Sequence, residues 1–512
     1  MRQSAEKKIA GAIRILFVVI LIALQLMFVI FIVSTLRNNA VYIFAAIEIV
    51  AVINVIILAS KNRKSAYTTT WIFVILIMPV FGYILYILWG NAPVGKHGGR
   101  IRASIAYGNE FLKNDPRVYR DLFMRHSDRT RMATYLGRKD FPLYANTNCK
   151  YFEVGERQFA AMLKDLENAE RFIFMEYFIV ETGKLWDSIV EVLARKAREG
   201  VEVRLMFDDW GSLVTTPYHF FEELQGYGIK VIRFNPIHKY ISRLYLNYRN
   251  HQKITVVDGR VAYTGGTNLA DEYANIYPKH GHWKDTAIRL EGDAVWGLTV
   301  NFLQMWDGEA GYYSEYERYK TDFPLTHSDG FFQPFNDGPT NNPDNPAEMM
   351  YMSMIANARD YIYITTPYLV IDSAMTDALC AAAVSGVDVR IVLPKIWDHW
   401  YVHIVTRSNY GELIKSGVRI YEYSPGYIHA KTILTDDDIC ITGSINMDYR
   451  SFNLHFENGV WICGAPVLAN IKEDITNTFE VSQEIDLRLW HGMRPWYVRI
   501  VEGILKIFSI LL

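Results

Sequence analysis

Two stretches of the 512-residue chain carry the same reactive residue types at the same spacing. Each has a histidine and a lysine two positions apart, an aspartate after four further residues, and after another six a Gly-Gly or Gly-Ser pair with an asparagine two positions beyond it. Packing alone does not impose identical offsets twice, so the pattern indicates a function. The residues are His251, Lys253, Asp258, Gly266 and Asn268 in the first copy, and His429, Lys431, Asp436, Ser444 and Asn446 in the second.

The histidine and the lysine of each copy are expected to share one face of a strand. The residues that follow each histidine are apolar and β-branched, and side chains two apart on a strand point the same way. A histidine can act as a nucleophile or a proton donor near neutral pH, and a lysine beside it supplies positive charge for phosphate oxygens. The glycine turn allows a close approach of backbone or hydroxyl, and the asparagine adds a donor. We therefore predict catalytic roles for the histidines and lysines, and phosphate binding by Gly266, Asn268, Ser444 and Asn446.

The aspartate of each motif has two interpretations. As part of the signature, Asp258 and Asp436 count with the catalytic set. However, Asp258 is followed by glycine and Asp436 by two more aspartates, between strand-like runs, which is typical of a hairpin turn. The turn context favours a structural role for both.

A nucleophilic histidine also needs its second ring nitrogen held by a carboxylate or a carbonyl. Asp285 lies downstream of the first motif and Glu457 downstream of the second, so each is the candidate to orient the histidine of its own copy. A surface ion pair is the alternative for either residue. Histidines outside the motifs, including His280 and His455, are expected to be ordinary packed polar groups.

The motifs lie within a larger repeat. Each copy has an apolar strand, a helix, a second strand that begins Gly-Val-x-Val-Arg at Gly200 or Gly386, then a helix and another strand that ends at Pro236 or Pro425. Strands that alternate with helices predict an α/β architecture. The first copy carries an eleven-residue insertion before its histidine, and the Pro/Asn/Gly-rich residues 335–346 are expected to join the copies.

Composition excludes several protein classes. The chain is 50% hydrophobic and 21% charged, which excludes a disordered protein. Its formal net charge of −2 makes a nucleic-acid-binding protein less probable. Four widely separated cysteines without C-x-x-C spacing exclude a disulfide scaffold and disfavour a structural zinc site, so no metal is predicted.

Apolar runs near residues 15–36, 41–59 and 71–89 predict N-terminal transmembrane helices. Three full spans would place two basic clusters, residues 61–64 and the segment 93–140, on opposite sides of the membrane, against the positive-inside rule. A third run that enters the membrane and returns at Pro79 and Gly82 removes the conflict. Two spans plus one extra run is the alternative.

The C-terminal segment 491–512 is predicted to be an amphipathic helix. It would lie in the membrane plane or dock on the globular core. Between the membrane region 1–92 with its basic segment and this helix, we expect two α/β domains, at residues 141–330 and 331–490.

The doubled H-x-K-x4-D-x6-G-[GS]-x-N pattern resembles the phospholipase D superfamily. Within it, the chain is similar to the bacterial cardiolipin synthases from about residue 41 onward, through GGTNLADEY at 265–273, FDDWGS at 207–212, residues 282–286 and GYIHAK at 426–431. The resemblance implies two phospholipase D-like domains related by a pseudo-twofold axis, with both histidines at one phosphodiester. It also implies a bacterial cell-membrane enzyme, multi-pass, with its catalytic domains on the cytoplasmic side.

The resemblance implies that the chain is a phosphatidyltransferase that makes cardiolipin and glycerol from two phosphatidylglycerol molecules. In that reaction His251 would form a phosphohistidine and His429 would serve as acid and base, although the symmetry of the motifs permits the reverse. No cofactor, metal or nucleic acid is implied; the partners are phosphatidylglycerol, cardiolipin and the bilayer. A hydrolase, a transferase to another alcohol, and a non-catalytic membrane scaffold are the alternatives.

Overall fold

The computed structural model describes residues 40–60, 65–87, 96–236, 248–324, 330–341 and 344–509, together with positions 27, 30, 31 and 34. The chain forms two compact units, an N-terminal one that ends at Gly95 and a larger one that begins at Lys96. The predicted run 15–36 and the insertion at 237–247 lie almost entirely outside the described residues.

Residues 40–87 of the N-terminal unit, as far as the structure describes them, form the helices α1 (Ala40–Ala59), α2 (Ser65–Ile77) and α3 (Phe81–Leu85). Residues Val41–Ala59 of α1 form the one described helix that is long and apolar enough to cross a membrane, with a mean hydropathy of 2.6. Its 20 residues span about 30 Å at the α-helical rise.

The predicted third run is broken between α2 and α3. A proline cannot continue the helical hydrogen bonding, and the break includes Pro79. After it the chain turns back toward α2. Gly82 then lies so close to Val74 that a Cβ atom on it would be 2.4 Å from the Val74 carbonyl oxygen. The rings of Trp71 and Tyr86 then lie 5.5 Å apart. This is the fold that the re-entrant hypothesis requires; the topology in the membrane stays a prediction.

The described part of the larger unit contains two large sheets and two of only two strands, β12-β18 and β15-β8. The first has seven strands in the order β1-β9-β7-β6-β2-β3-β4, with β2, β3 and β4 parallel and the remaining pairs antiparallel. Its strands are β1 (Thr147–Phe152), β2 (Phe172–Tyr177), β3 (Glu202–Asp208), β4 (Lys230–Phe234), β6 (Ile254–Val257), β7 (Val261–Gly265) and β9 (Ala287–Gly292), with β5 (Arg249–Asn250) and β8 (His282–Lys284) outside it.

The second sheet repeats this order with equivalent strands, as β10-β19-β17-β16-β11-β13-β14, and adds β20 at its edge. The strands are β10 (Phe331–Asp337), β11 (Tyr361–Thr365), β13 (Asp388–Pro394), β14 (Arg419–Tyr423), β16 (Thr432–Thr435), β17 (Ile439–Gly443), β19 (His455–Cys463) and β20 (Ser482–Ile485), with the short β12 (Leu369–Val370), β15 (Gly426–Ile428) and β18 (Met447–Asp448). The duplicated α/β fold is therefore confirmed. The predicted joint is wrong in part, because residues 335–337 complete β10 and pair with β19.

Helices cover the sheets. Those of the larger unit are α4 (Lys96–Asn109), α5 (Pro116–Arg125), α6 (Thr130–Gly137), α7 (Gly155–Glu167), α8 (Lys184–Arg198), α9 (Phe220–Gly226), α10 (Val295–Ala310), α11 (Pro346–Asn357), α12 (Ser373–Val384), α13 (Trp400–Ser408), α14 (Tyr410–Lys415), α15 (Tyr449–Asn453), α16 (Val467–Glu480), α17 (Leu487–Gly492) and α18 (Trp496–Ile507). Two shorter 3₁₀ helices are Asp271–Ala274 and Tyr316–Tyr319.

One hydrophobic core joins the two halves. It contains residues of both sheets, such as Phe174 and Val256 of the first and Val460 of the second, together with Leu298 of α10. Helix α10 is buried almost along its whole length, which agrees with its largely apolar sequence. Two further large cores lie mainly within one half each, although Tyr427 of the second half belongs to the core of the first. The shared core fixes the halves against each other, and this positions the residues described next.

Candidate functional site

Two short strand pairings cross from one half to the other. Strand β5 lies parallel to the beginning of β19, with Arg249 opposite His455 and Asn250 opposite Phe456. The next residue, His251, donates its backbone N–H to the Phe456 carbonyl at 2.8 Å. Its side chain is thereby brought to Glu457, whose Oε1 and Oε2 lie 2.8 and 3.0 Å from the histidine Nδ1.

The second crossing repeats this arrangement. Strand β15 lies parallel to β8, with Ile428 opposite Lys284, and the His429 N–H donates to the Lys284 carbonyl at 2.7 Å. The His429 Nδ1 lies 2.6 Å from Asp285 Oδ2. Each histidine thus meets the carboxylate one step beyond the last paired residue of the other half.

These pairings correct one prediction from the sequence. Asp285 and Glu457 do contact histidines, but the partners are exchanged: Glu457 holds the histidine of the first half, and Asp285 that of the second. The physical reason is the register of the two crossing pairs, because the sequence order within a copy does not reveal how the copies pack.

The two carboxylates are supported differently. Glu457 is fully buried and accepts hydrogen bonds from the Ser444 hydroxyl and, at 2.8 Å, from the Ser451 hydroxyl. Asp285 is also fully buried, and its Oδ1 accepts the Thr286 N–H at 2.9 Å. A Cβ atom on Gly266 would lie 2.1 Å from that oxygen, so only glycine leaves room for the carboxylate.

This support bears on two predicted phosphate ligands. The Ser444 hydroxyl donates to Glu457, and Gly266 serves as the open space beside Asp285. Both equivalent positions therefore contact the orienting carboxylates, and the structure favours that role over direct phosphate binding by the Ser444 side chain.

The motif lysines are buried beside their histidines. Lys253 Nζ donates to the His251 carbonyl at 2.6 Å, and Lys431 Nζ donates to the His429 carbonyl and lies 2.8 Å from His429 Nδ1. Burial, together with the charge of Lys431, lowers the pKa of Lys253 to about 7 although Glu457 opposes this. Burial lowers the pKa of Lys431 to about 8. The lysine of the second half therefore acts electrostatically on the lysine of the first, which places both in one site.

Both imidazoles are poised to be neutral. Burial first, and then the charges of Lys253 and Lys431, hold the pKa of His251 well below its usual 6.5. Burial and Lys431 lower the pKa of His429, while Asp285 opposes this effect. A neutral imidazole that donates Nδ1–H to a carboxylate keeps a lone pair on Nε2, which is the form a nucleophile needs.

The two motif asparagines differ in their contacts. The Asn268 Oδ1 accepts a hydrogen bond from the Ile179 N–H at 3.1 Å, and its Nδ2 donates one to the Tyr273 hydroxyl at 2.8 Å. Asn446 is buried, and its Oδ1 has no hydrogen-bond partner among the described residues. An amide with such an unpaired atom suits a ligand-binding position.

The motif aspartates hold the beginnings of two equivalent strands, β2 and β11. Asp258 accepts backbone N–H groups of residues 170–172, and Asp436 those of residues 359–361. Both have positive φ, of 55° and 53°, as a tight turn requires. Asp436 also pairs with the buried Arg129 at 3.0 Å. This placement favours a structural role for both aspartates over a catalytic one.

Aromatic rings enclose both histidines. The Phe178 ring lies 5.1 Å from that of His251, and the rings of Tyr273 and Trp283 lie 5.4 and 5.7 Å from that of His429. Sequence reasoning did not predict these rings or the Ser451 hydroxyl. The only signal for Ser451 was its place three residues after Asp448, a helix-capping spacing.

A third histidine lies at the site, where the sequence predicted none. The His455 ring is 5.5 Å from that of His251, and possible ligand atoms of His251, His455 and Glu457 lie within 4.8 Å of one another. A metal ion could bridge such a spacing, but His251 and Glu457 already bond to each other. The prediction that the reaction uses no metal stays a prediction.

Comparison with known proteins agrees with this geometry. The family model described as "Cardiolipin synthase, PLD-like domain" matches residues 162–276 and 351–480, one segment in each half. The model described as "Phospholipase D-nuclease N-terminal" matches residues 40–91.

Relatives match most of the chain. It is 34% identical to "Cardiolipin synthase 2" of Bacillus anthracis, over 88% of each chain. It is 33% identical to "Major cardiolipin synthase ClsA" of Bacillus subtilis, over 89% of this chain and 95% of that one. It is also 38% identical to an uncharacterized protein of Streptococcus mutans, over 84% of this chain and 94% of the relative.

A solved structure shares the fold. The phosphatidylserine synthase of Haemophilus influenzae is similar with a TM-score of 0.57, at 14% identity, and the similarity covers 74% of this chain and all of that one.

Proposed function

The chain belongs to the cardiolipin synthases of the phospholipase D superfamily, and on that premise we propose that it transfers a phosphatidyl group from one phosphatidylglycerol to another. The observation that carries the proposal is the exchanged pairing of the two histidines, each held at Nδ1 by a buried carboxylate of the other half. Such a pair can bracket one phosphorus atom with two Nε2 atoms.

In the first step, His251 Nε2 attacks the phosphorus of phosphatidylglycerol. The bond from phosphorus to the glycerol oxygen breaks, and His429 gives a proton to that oxygen, so that glycerol leaves and a phosphatidyl-histidine remains. His251 is the better nucleophile of the two because both Glu457 oxygens hold its Nδ1–H, and two serine hydroxyls fix that carboxylate.

In the second step, the free hydroxyl of another phosphatidylglycerol attacks the same phosphorus. The bond from phosphorus to His251 breaks, and His429 takes the hydroxyl proton, which restores both residues and yields cardiolipin. His429 must carry a proton before the first step, although its pKa is lowered in the free site. A bound phosphodiester adds negative charge beside it and favours the protonated form.

The lysines stabilise the charge that grows on the nonbridging oxygens in both steps. Lys253 and Lys431 are buried, where an electrostatic contact is stronger than in water. Asn446 and Asn268 add amide donors. Asp258 and Asp436 take no part in the chemistry, because their oxygens are engaged by the backbone at the strand entrances.

The protein acts at the cytoplasmic face of the bacterial membrane, held there by more than one N-terminal segment. Helix α18 supports membrane contact by the catalytic unit as well. Glu502 is buried and paired to Arg494, whereas Trp496, Ile500 and Ile504 are 73%, 56% and 54% exposed. Exposed apolar side chains beside the exposed cations Arg499 and Lys506 suit a helix that contacts a lipid interface.

One incubation tests the function. Purified full-length protein receives phosphatidylglycerol as its sole phospholipid, with a chelator and without nucleotide, and the products are separated by mass. Equal amounts of cardiolipin and glycerol are expected. Phosphatidic acid in place of cardiolipin would show that water resolves the intermediate, and the absence of any product would support the scaffold alternative.

A further inference from the structure

An aspartate within electrostatic reach of His429 plays no part in the steps above. Asp398 lies on the loop between β13 and α13, with its side chain 22% exposed. The Tyr368 hydroxyl donates to its Oδ2, which also lies 3.0 Å from His399 Nδ1, and the His399 N–H donates to its Oδ1 at 2.7 Å. A carboxylate has about four acceptor positions. Room for a further hydrogen bond therefore remains.

The fold places Tyr368, the hydroxyl donor to Asp398, beside the second motif. The next residue, Leu369, pairs with Met447 where β12 lies parallel to β18. Tyr368 therefore lies next to Asn446, the residue before Met447, and its hydroxyl holds Asp398 near this motif.

Contacts from the other side agree. The Tyr427 ring lies 6.2 Å from that of His429, and its buried hydroxyl interacts with Tyr368 and Asp398. Burial, and after it the Asp398 charge, raise the pKa of Tyr427 well above 10. Burial alone would raise the pKa of Asp398, but hydrogen bonds from His399 and Tyr368 lower it, and the charge that His429 can carry adds to this. Asp398 is thus ionised at neutral pH.

An ionised carboxylate here cannot serve the phosphate. Two negative groups repel, whereas the buried lysines already supply positive charge for the phosphate oxygens. A carboxylate is a strong acceptor for hydroxyl donors, and the Tyr427 hydroxyl lies beside it. The corner therefore suits a group that donates hydrogen bonds, such as the hydroxyls of a glycerol headgroup.

We propose that Asp398, supported by Tyr368 and Tyr427, accepts hydrogen bonds from the glycerol headgroup at His429 and so selects a phospholipid with a polyol head. This rests on the proposed function, because His429 exchanges a proton with a glycerol oxygen in each step, that of the leaving glycerol in the first and that of the attacking headgroup in the second. The headgroup then binds through its remaining hydroxyls while the reacting oxygen faces His429.

The loop itself is suited to a lipid surface. Trp397 and Trp400 flank Asp398 and are 52% and 51% exposed, and Ile396 is 39% exposed. Tryptophan is favoured at the level of lipid headgroups. A headgroup bound by Asp398 would thus come from a lipid whose chains remain near the bilayer.

The test uses two donors on full-length Asp398→Asn protein. One donor is phosphatidylglycerol; the other is phosphatidyl-p-nitrophenol, whose leaving group has no hydroxyl to offer Asp398. We expect kcat/KM for phosphatidylglycerol to fall about 10- to 100-fold, as for a lost hydrogen bond to a charged group. Release of nitrophenol should change by less than about 3-fold, because its leaving group never contacts this corner.

A second readout does not depend on cardiolipin formation. With the nitrophenyl donor, glycerol and 1-propanol compete for the phosphatidyl-enzyme, and the product ratio reports alcohol selection. Wild type should prefer glycerol, and Asp398→Asn should lose that preference. If wild type made no cardiolipin from phosphatidylglycerol, the proposed function would fail while this ratio still decided the role of Asp398.

Two further variants guard against a loss of structure. Asp388→Asn removes a carboxylate at the start of β13, the strand before the Asp398 loop, where it pairs with Arg390. It should leave both donors and the alcohol ratio unchanged. Tyr368→Phe should give a smaller loss with phosphatidylglycerol than Asp398→Asn. Equal losses on both donors, or an unchanged alcohol ratio in Asp398→Asn, would overturn the proposal.

Discussion

His251 and His429 occupy equivalent places in the two halves, yet their carboxylates are held by different means. Glu457 is one methylene longer and takes the hydroxyls of Ser444 and Ser451, whereas Asp285 is shorter and lies against the bare backbone of Gly266. The duplicated motif thus fixes the histidine and the lysine, and the local sequence decides how the carboxylate is supported. Because the supports differ, the two histidines can be perturbed separately.

The surroundings differ as well. Phe178 packs on His251, whereas His429 lies among the rings of Tyr273, Trp283 and Tyr427. The Tyr427 hydroxyl in turn interacts with Asp398. An apolar wall suits a residue that carries the phosphatidyl group, and a wall with hydroxyls and a carboxylate suits one that handles an alcohol. The predictions below exploit this contrast.

The largest effect is expected from replacing either histidine with asparagine. Each variant should lose on the order of 10³-fold or more of synthase activity, as for other nucleophile and base pairs. The contrast appears with the nitrophenyl donor, whose leaving group needs no proton: His429→Asn should still form a covalent phospho-enzyme, and His251→Asn should not. Intact-protein mass spectrometry after acid-free quenching measures this. A trapped adduct on His251→Asn alone would exchange the two roles.

Neutralising the carboxylates should give the next largest effect. Glu457→Gln and Asp285→Asn keep the shape but let the imidazole take the wrong tautomer, which costs roughly 10²- to 10⁴-fold in comparable sites. With the nitrophenyl donor, Glu457→Gln should slow adduct formation and Asp285→Asn should affect it far less. Rapid-quench kinetics can decide this, and the reverse order would contradict the exchanged pairing.

The supports can then be exchanged between the halves. Gly266→Ser places a Cβ atom where Asp285 Oδ1 lies and should cost about 100-fold, because packed atoms cannot overlap. Ser444→Gly removes one of two hydroxyls on Glu457 and should cost about 10-fold, as expected for one hydrogen bond to a charged acceptor. Steady-state rates at saturating phosphatidylglycerol measure both. Thermal unfolding serves as the control, since an unfolded variant would say nothing about the supports.

The lysines should set the alkaline limit of activity. Phosphate binding needs their charged forms, and their pKa values of about 7 and about 8 mean that charge is lost as the pH rises through this range. The kcat/KM profile should therefore fall above pH 7 to 8. The fall should be about 10-fold for each pH unit where loss of one essential proton abolishes activity. In Lys253→Arg the normalised profile should extend to about pH 8, where Lys431 still loses its proton, because arginine stays charged. An unchanged alkaline limb in this variant would assign the fall to another group.

The smallest effect on chemistry is expected at the motif aspartates. Asp258→Asn and Asp436→Asn weaken the bonds to the backbone of residues 170–172 and 359–361, so stability should fall by about 1 to 3 kcal/mol. Asp436→Asn should be the more destabilising, since Arg129 also loses a buried partner. Chemical denaturation measures this loss, and the rate per folded molecule should remain within a few-fold of wild type. A large loss of rate without a loss of stability would restore the catalytic interpretation.

The sequence was sufficient to predict whatever depends on local pattern. The repeated offsets predicted two equivalent α/β halves, and the hairpin after each motif predicted the turns at Asp258 and Asp436. Pro79 and Gly82 indicated the break in the third apolar run. In each of these cases a few consecutive residues carry the whole signal.

The remaining features depend on how distant segments pack. The exchange of Asp285 and Glu457 follows from the register of β5 on β19 and of β15 on β8, which no single copy encodes. Asp398 has no repeated counterpart among the motif positions, so nothing in the sequence distinguished it from a surface carboxylate. The sequence could predict that the Ser444 hydroxyl donates to an anion, but it could not predict that this anion is the Glu457 carboxylate.

The crossed strand pairings also determine how the molecule can fail. Because each half supplies the carboxylate for the histidine of the other, a small slip between the sheets would uncouple both dyads at once, and neither half could retain one chemical step alone. Turnover is therefore a direct report of correct docking between the halves. Separately expressed halves should be silent by themselves and gain activity only on reassembly.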